Sequence, residues 1–341
     1  MKNGIVARRA AGAMIAAFSV SSAWAQSPAE FYKGKTVELY IGYTVGGGYD
    51  VYARLLARHL AKYIPGNPTV VPKNMEGAAS LRLANWLYTA APKDGTAIGT
   101  FSRGIAFDPL LGQKGAQFEA AKYAWIGSAN DEVSVCVSWE TSPVKTFEDT
   151  LTKELTIGAN GTADDTYQFP RVINAVVGTK MRIITGYPGG NDISLAIERG
   201  EVQGRCGWSW SSIISTRADW LKEKRINVLV QAALNKHPDL PDVPLVTDYA
   251  KTDEQRQILK LIFARGVMGR PYAAPPEMPA DRLAAMRAAF METMKDKEFL
   301  AEAAKAKLEI TPVDGAKVES LVKEIYRTPP AIAEKAAQFL N

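Results

Sequence analysis

The sequence predicts an α/β protein with two lobes and a central cleft. Between residues 36 and 101, apolar strands alternate with glycine-containing loops and amphipathic helices, which is the order typical of a parallel sheet covered by helices. The same order returns between residues 155 and 231, after a β-rich stretch that departs from it. Two such units joined by crossing strands predict several loops that face one cleft, where open α/β sheets bind ligands.

The opening stretch, residues 37–64, is predicted to be a strand, a glycine turn and a helix. Apolar residues alternate in its first positions, glycines occupy 46–48, and apolar residues at helical spacing follow. Asp50 is predicted to cap the helix N-terminus. Because glycines leave backbone N–H groups uncovered and a helix N-terminus carries partial positive charge, the turn suits an anion, either phosphate or carboxylate.

The remaining elements follow from the same periodicities and from turn residues. In the first lobe, strands are predicted at 69–71 and 96–101, a helix after the small-residue loop 74–80, and a further loop at 102–104. In the second lobe, strands are predicted at 155–158, 182–185, 202–206 and 227–231, loops at 159–162 and 186–192, and helices at 168–177 and 193–199. Residues 125–128 and 133–139 are predicted to be extended and to cross between the lobes, and 262–268 to be a strand that returns to the first lobe. Helices are predicted at 281–294, 298–307 and 315–326, with a last one ending at Leu340.

These elements give a predicted domain organisation with four parts. Residues 1–25 are predicted to be a signal peptide, 26–130 the first part of lobe 1, 131–245 lobe 2, and 246–341 the remainder of lobe 1. The signal peptide is predicted from a basic start, an apolar run too short to span a bilayer, and Ala23-Trp24-Ala25 before the cut. Cleavage after Ala25 predicts an exported protein, most consistent with a bacterial periplasm.

Charge and composition exclude several classes. The formal charge is +5, and cleavage removes three positive charges, so the mature chain carries 5 − 3 = +2. Nucleic-acid binding would need a clustered basic face, which this near-neutral chain does not suggest. After residue 25, no apolar stretch approaches membrane-spanning length, so no membrane insertion is expected.

No catalytic set is visible in the sequence. A dinucleotide fingerprint would need glycine at position 51, where the chain has Val51, and no glycine loop is followed by a Walker-type lysine. His59 and His237 have no partner at metal-ligand spacing. Asp164 and Asp165 are adjacent acids at a helix start, where they favour the helix dipole and are more simply structural than catalytic. We therefore expect no enzyme, no metal and no cofactor.

Five segments together resemble the periplasmic solute receptors of tripartite tricarboxylate transporters, the Bug family. They are Gly42 to Asp50 followed by Ala53-Arg54, the loop 74–80, the turn 91–96, Gly189-Gly190 followed by 198–202, and Leu-Pro-Asp-Val-Pro at 240–244. The resemblance covers nearly the whole mature chain. It implies a two-lobed, type II-like Venus-flytrap fold that delivers a small carboxylate, often a di- or tricarboxylate, to membrane permease subunits. A monomer is expected.

The resemblance also implies a set of ligand-binding residues, held largely through backbone and small side chains. In the first lobe they are Gly47, Gly48, Ser80 and Ser102, and in the second lobe Asn160, Gly161, Thr162, Tyr187 and Gly190. The glycines are explained equally well by turn chemistry alone.

Three further candidates come from places where the chain departs from the family pattern. Trp208 and Ser209 stand at the end of a predicted strand, and Trp208 or Trp210 could stack on an aromatic carboxylate, although core packing explains a tryptophan as well. Arg103 follows a strand directly and could pair with a carboxylate, or be a solvated loop arginine.

The two cysteines, Cys136 and Cys206, are compatible with a disulfide or with two separate buried thiols. In the fold that the resemblance implies, the crossing strand lies beside the third strand of the second lobe. We therefore expect a disulfide between them, with no part in chemistry.

Three functions stay open from sequence. The leading one is a transport receptor that closes on a carboxylate. A sensing component that docks on a signalling kinase would use the same receptor, and neighbouring genes for a large and a small membrane protein would favour transport. An enzyme is disfavoured because no catalytic set is present.

Overall fold

The computed structural model describes Met1 and residues 26–340. The predicted signal peptide and its cleavage site, except Met1, lie outside the described residues. No described helix is long and apolar enough to cross a membrane.

Six strands form the sheet of the first lobe, in the order β11-β4-β10-β3-β1-β2. They are β1 (Thr36–Ile41), β2 (Thr69–Asn74), β3 (Ala97–Thr100), β4 (Ala124–Ser128), β10 (Pro271–Ala274) and β11 (Val313–Asp314). β1 is parallel to β2 and β3, whereas β10 is antiparallel to both β3 and β4. The parallel part directs the loops after β1, β2 and β3 to one edge, because parallel strands end on the same side.

Five strands form the sheet of the second lobe, in the order β7-β6-β8-β5-β9. They are β5 (Ser134–Trp139), β6 (Leu155–Gly158), β7 (Met181–Ile184), β8 (Gly204–Ser209) and β9 (Ile226–Ala232). β6 is parallel to β7 and β8, and β5 runs antiparallel between β8 and β9. The predicted α/β class with two lobes is confirmed; the domain boundaries stay a prediction.

Helices cover both sheets. They are α1 (Pro28–Tyr32), α2 (Gly48–Leu60), α3 (Leu81–Thr89), α4 (Asp149–Thr152), α5 (Asp165–Val177), α6 (Gly190–Glu198), α7 (Trp210–Thr216), α8 (Ala218–Lys222), α9 (Asp253–Phe263), α10 (Ala280–Thr293), α11 (Lys297–Lys305), α12 (Gly315–Ile325) and α13 (Pro330–Leu340). α2, α10 and α12 pack on the first sheet, and α5 and α6 on the second. α9 and α13 pack on each other and on α5, so the last helix lies against the second lobe.

The predicted return strand at 262–268 is wrong. Its first residues end α9, and Ala264–Met268 form a short 3₁₀ turn. The strand that returns is β10, which begins three residues later. An apolar run of this length fits a buried helix end as well as a strand, and here Phe263 packs against Phe169 of α5, which favours the helix.

The prediction that Asp50 caps α2 is wrong. The N-cap is Gly47, which has an extended backbone and provides no side-chain cap. Asp50 lies one turn further on, where its carboxylate accepts the Gly46 N–H at 3.0 Å and pairs with Arg54 at 2.9 Å. A carboxylate in the first turn still favours the helix dipole. Because the cap residue is a glycine, it provides no side-chain hydrogen bond to the first amides of α2.

The expected disulfide between Cys136 and Cys206 is confirmed. It joins β5 to β8, which are antiparallel neighbours in the second sheet. Both cysteines are buried among apolar side chains, away from solvent. The bond therefore ties the crossing strand to the core of the second lobe.

Candidate functional site

A cavity of about 50 Å³ lies between the lobes, where the loops that follow the parallel strands meet. Its lining residues are Tyr43, Gly46, Gly47, Gly48, Tyr49, Ser102, Arg103, Asn160, Asp164, Asp165, Gly190, Asn191, Ser194, Arg205, Gly207, Trp208, Ser209, Ser212 and Thr216. At roughly 10–15 Å³ per water, it has room for about three to five water molecules or a small organic ion. Both lobes contribute, so a ligand here would touch both at once.

Eight of the twelve residues predicted to bind ligand line this cavity. They are Gly47, Gly48, Ser102, Arg103, Asn160, Gly190, Trp208 and Ser209. Whether any of them contacts a ligand stays a prediction.

The other four predicted residues lie near the cavity but not on its wall. The Ser80 hydroxyl donates to the Gly42 carbonyl and accepts the Ser102 N–H, each at 3.2 Å, so it braces a lining loop from behind. The Thr162 hydroxyl accepts from Gln113 of the first lobe at 2.9 Å. Gly161 faces Ala79 across the lobes, and Tyr187 packs against the apolar core of the second lobe.

At two glycines of the cleft, a side chain would collide with the opposite lobe. A Cβ at Gly48 would lie 2.1 Å from the Ser212 hydroxyl, and one at Gly189 would lie 2.0 Å from the Thr44 hydroxyl. Gly189 is the N-cap of α6 and, like Gly47 at α2, provides no side-chain cap. The positive ends of two helices, one from each lobe, therefore border the cavity without a capping group.

Arg205 is the most informative residue of the wall. It projects from β8, is 8% exposed, and lies with its guanidinium carbon 4.7 Å from the Trp208 ring centre. Its Nη1 donates to the Gly190 carbonyl at 3.0 Å, while its buried Nε has no hydrogen-bond partner among the described residues. Within that same part of the chain, no carboxylate lies within the 4.0 Å that defines an ion pair. Burial lowers the pKa of Arg205 to about 10.

Arg103, by contrast, already has a counter-ion. Its Nε lies 2.5 Å from Asp165, and the same carboxylate lies 3.0 Å from Nη1 of Arg265. One lobe 2 carboxylate is thus shared between two buried arginines, so this cluster joins the lobes and carries a net charge of +1. Arg103 is not the solvated loop residue of one interpretation, and its contact with a ligand carboxylate stays a prediction, since its buried Nη1 has no hydrogen-bond partner among the described residues.

Asp164 lines the cavity as the N-cap of α5. One carboxylate oxygen accepts the Thr166 N–H at 2.9 Å and its hydroxyl at 2.6 Å, and the other accepts the hydroxyl of Tyr43 from the first lobe. Burial and then the Asp164 charge raise the pKa of Tyr43 well above its usual value, so the phenol remains a donor. Asp164 is held by neutral donors, with no described cation within ion-pair distance.

A second charged cluster lies behind Ser209 and Ser212. Arg270 donates to these two hydroxyls at 3.2 and 2.9 Å and lies 3.3 Å from Glu132. The Ser211 hydroxyl also donates to Glu132. Glu132 lies between β4 and β5, and Arg270 directly precedes β10, so this cluster ties both connections to the start of α7.

Of the two tryptophans predicted to stack on an aromatic ligand, one lines the cavity. Trp208 lines the cavity, but the Arg205 guanidinium lies over its ring. Trp210 is not among the lining residues; it packs near His237 and donates to Asp239 at 3.3 Å.

Sequence reasoning missed Arg205, although it stands inside the predicted strand 202–206. A lone arginine between apolar and small residues of a strand is itself a signal, because an arginine is seldom fully buried unless it is paired. Arg270 gave no such signal, because the return strand was predicted at 262–268 and not at β10, which Arg270 directly precedes.

Away from the cavity, one group in the described part of the chain has metal-ligand proximity. His59, Asp296 and Glu298 bring ligand atoms within 4.8 Å of one another. Lys62 already places its ammonium 2.6 Å from Asp296, and Asp296 also caps α11. A cation of the protein itself occupies this position, so it is a poor metal site.

Comparison with known proteins supports the fold. No family model matches the chain. A curated relative from Cupriavidus necator, described as a UPF0065 protein in the gbd 5′ region, is 33% identical over 87 residues, which is 26% of each chain. The match thus spans about a quarter of that relative's length.

Solved structures with the same fold cover 89–90% of this chain. The periplasmic binding protein BugD has a TM-score of 0.70 at 16% identity, with 98% of its chain covered. An R. palustris protein with adipate has a TM-score of 0.69 at 15% identity, with 97% covered. MatC from Rhodopseudomonas palustris, with bound malate, has a TM-score of 0.69 at 17% identity, with 99% covered. The resemblance predicted from sequence motifs is thereby confirmed at the level of fold.

Proposed function

We propose that this chain, which has the fold of the Bug and TctC periplasmic binding proteins, is an extracytoplasmic receptor that captures a small carboxylate. Its partners would be the membrane permease subunits of a tripartite tricarboxylate-type transporter. The relatives that hold adipate and malate support a carboxylate ligand without naming this chain's own. No catalytic step forms part of the proposal.

One observation carries the proposal: the buried guanidinium of Arg205 faces the cavity with no carboxylate within ion-pair distance among the described residues. Burying an unpaired charge is costly, and placing a cation beside the uncapped N-terminus of α6 adds unfavourable helix-dipole interaction. A ligand carboxylate between Arg205 and the helix amides would remove both costs and could accept two N–H groups from the guanidinium. Arg205 thus supplies the charge, and the glycine loops supply close access to backbone donors.

Replacing Arg205 with methionine tests the proposal. Arg205→Met should weaken binding of a carboxylate by at least about 30-fold, or about 2 kcal/mol, as measured by calorimetry against a panel of aliphatic and aromatic carboxylates. The unliganded variant should melt at the same temperature as the wild type or higher, because a buried unpaired cation is removed. The Gly190 carbonyl keeps a donor, since the Ser194 hydroxyl lies 3.1 Å away.

Arg182→Met is the matched control, because Arg182 lies in the same lobe with 64% of its side chain exposed. It should leave carboxylate affinity unchanged. Wild-type binding of a cation or a neutral sugar with no response to any carboxylate would reject the proposed ligand class. N-terminal sequencing of the exported protein tests the location, with Gln26 expected as the first residue.

A further inference from the structure

The charges around the cavity are nearly balanced before any ligand enters. Seven buried charged side chains line the cavity or belong to the Asp165 and Arg270 clusters behind it. Four are cations and three are anions: Arg103, Arg205, Arg265 and Arg270 against Glu132, Asp164 and Asp165. The buried shell therefore carries 4 − 3 = +1.

The remaining charged groups nearby do not change this balance. Asp50 is paired with Arg54, and at the part-exposed rim Arg217, which donates to Asn191, is offset by Asp192 in the first turn of α6. Rim charges are also screened by salt. Behind Arg265, burial raises the pKa of Asp108 to about 7, so that carboxyl adds at most part of one further negative charge near neutral pH.

The positions of the charged groups limit which ligand can bind, as their net charge does. Arg205 is the only one of the four buried arginines without a carboxylate within 4.0 Å in the described structure. Asp164 and Asp165 also line the cavity. In a cavity of about 50 Å³, a ligand anchored at Arg205 lies close to these carboxylates. A second ligand carboxylate would exceed the +1 charge of the buried shell, so it would be buried without a full counter-charge.

We infer that the site accepts a ligand with one negative charge, a short monocarboxylate, and discriminates against dicarboxylates of the same length. This inference rests on the proposed function and names its substrate class. Asp164 is the specificity-determining residue, because it lines the cavity and its negative charge holds the buried shell at +1. Its hydrogen bonds come from neutral donors, so its charge is not cancelled locally.

Calorimetry with two matched pairs of acids tests the inference: butyrate against succinate, and lactate against malate. At neutral pH the wild type should bind the monocarboxylate of each pair at least about 10-fold more tightly. Asp164→Asn removes one negative charge, so the net charge of the shell rises from +1 to +2. The ratio should then shift by at least about 10-fold toward the dicarboxylate. Asparagine still caps a helix, and unchanged melting would show that the lobe is intact.

Asp281→Asn makes the same charge change at an exposed position of α10 and should leave the ratio unchanged. Tighter wild-type binding of succinate or malate overturns the inference while leaving the receptor proposal in place. So does a preference that Asp164→Asn does not move. Failure of all four acids to bind counts against the proposed function itself.

Discussion

The proposed closure of the two lobes on a ligand would depend on a position that has no side chain. Gly189 has φ −158°, an extended conformation that alanine adopts without strain. The cost of Gly189→Ala therefore arises across the cleft, where the new Cβ would lie 2.0 Å from the Thr44 hydroxyl and 3.2 Å from its Cβ. Ordinary contact begins near 3.4 Å, so the surfaces must separate by about 3.4 − 2.0 = 1.4 Å, or Thr44 must rotate away from Asp192.

Overpacking of this size costs about 1–3 kcal/mol, which corresponds to a loss of ligand affinity of about 5- to 150-fold. The fold itself should be unaffected, because opening the lobes relieves the contact. We expect calorimetry to show weaker carboxylate binding, small-angle scattering to show a larger radius of gyration, and denaturant unfolding to change by less than about 0.5 kcal/mol.

Thr44→Ala removes the hydroxyl that the new methyl meets, so Gly189→Ala/Thr44→Ala should recover most of the lost affinity. Equal affinity for wild type and Gly189→Ala would refute the claim that this contact limits closure. So would a loss that the second substitution does not rescue.

Two further predictions concern stability. Replacing both Cys136 and Cys206 with alanine should lower the free energy of unfolding by about 2–4 kcal/mol, because the bond closes a separation of 70 residues, and urea unfolding with and without reductant checks this. Asp108→Asn should flatten the pH dependence of melting. Burial raises the pKa of Asp108 to about 7, so its stabilising contribution is full below about pH 4 and is lost as pH rises through 7. The wild type, but not the variant, should lose melting temperature between pH 5 and pH 8; parallel curves would contradict the assignment.

The sequence predicted what is local. The alternation in β1, the glycines after it and the periodicity of α2 all depend on neighbours within a few residues, and the structure contains each of them. The Asp50 cap was wrong for a local reason too: an acid in the first turn and an acid at the cap give the same sequence signal. The return strand was wrong because 262–268 is apolar on account of a tertiary contact with α5, which periodicity does not encode.

Only the loop residues of the site could be predicted from the sequence. Glycine and serine positions at strand ends were found because topology alone brings them to the cleft. The unpaired state of Arg205 and the paired state of Arg103 depend on where carboxylates distant in sequence come to lie: Asp164 is 41 residues from Arg205, and Asp165 is 62 residues from Arg103. Those distances are set when both lobes are folded and brought together, so residue type alone did not separate the two arginines.

The packing of α13 has a consequence for measurement. Helix α1 near the N-terminus packs on α10 of the first lobe, whereas α13 packs on α5 and α9. The first and last described helices therefore pack on opposite lobes. Fluorescent dyes attached at Ala29 and Glu334, both exposed, would measure the distance between the lobes. Energy transfer between them would report opening and closing directly, without a label near the cavity and before its natural ligand is known.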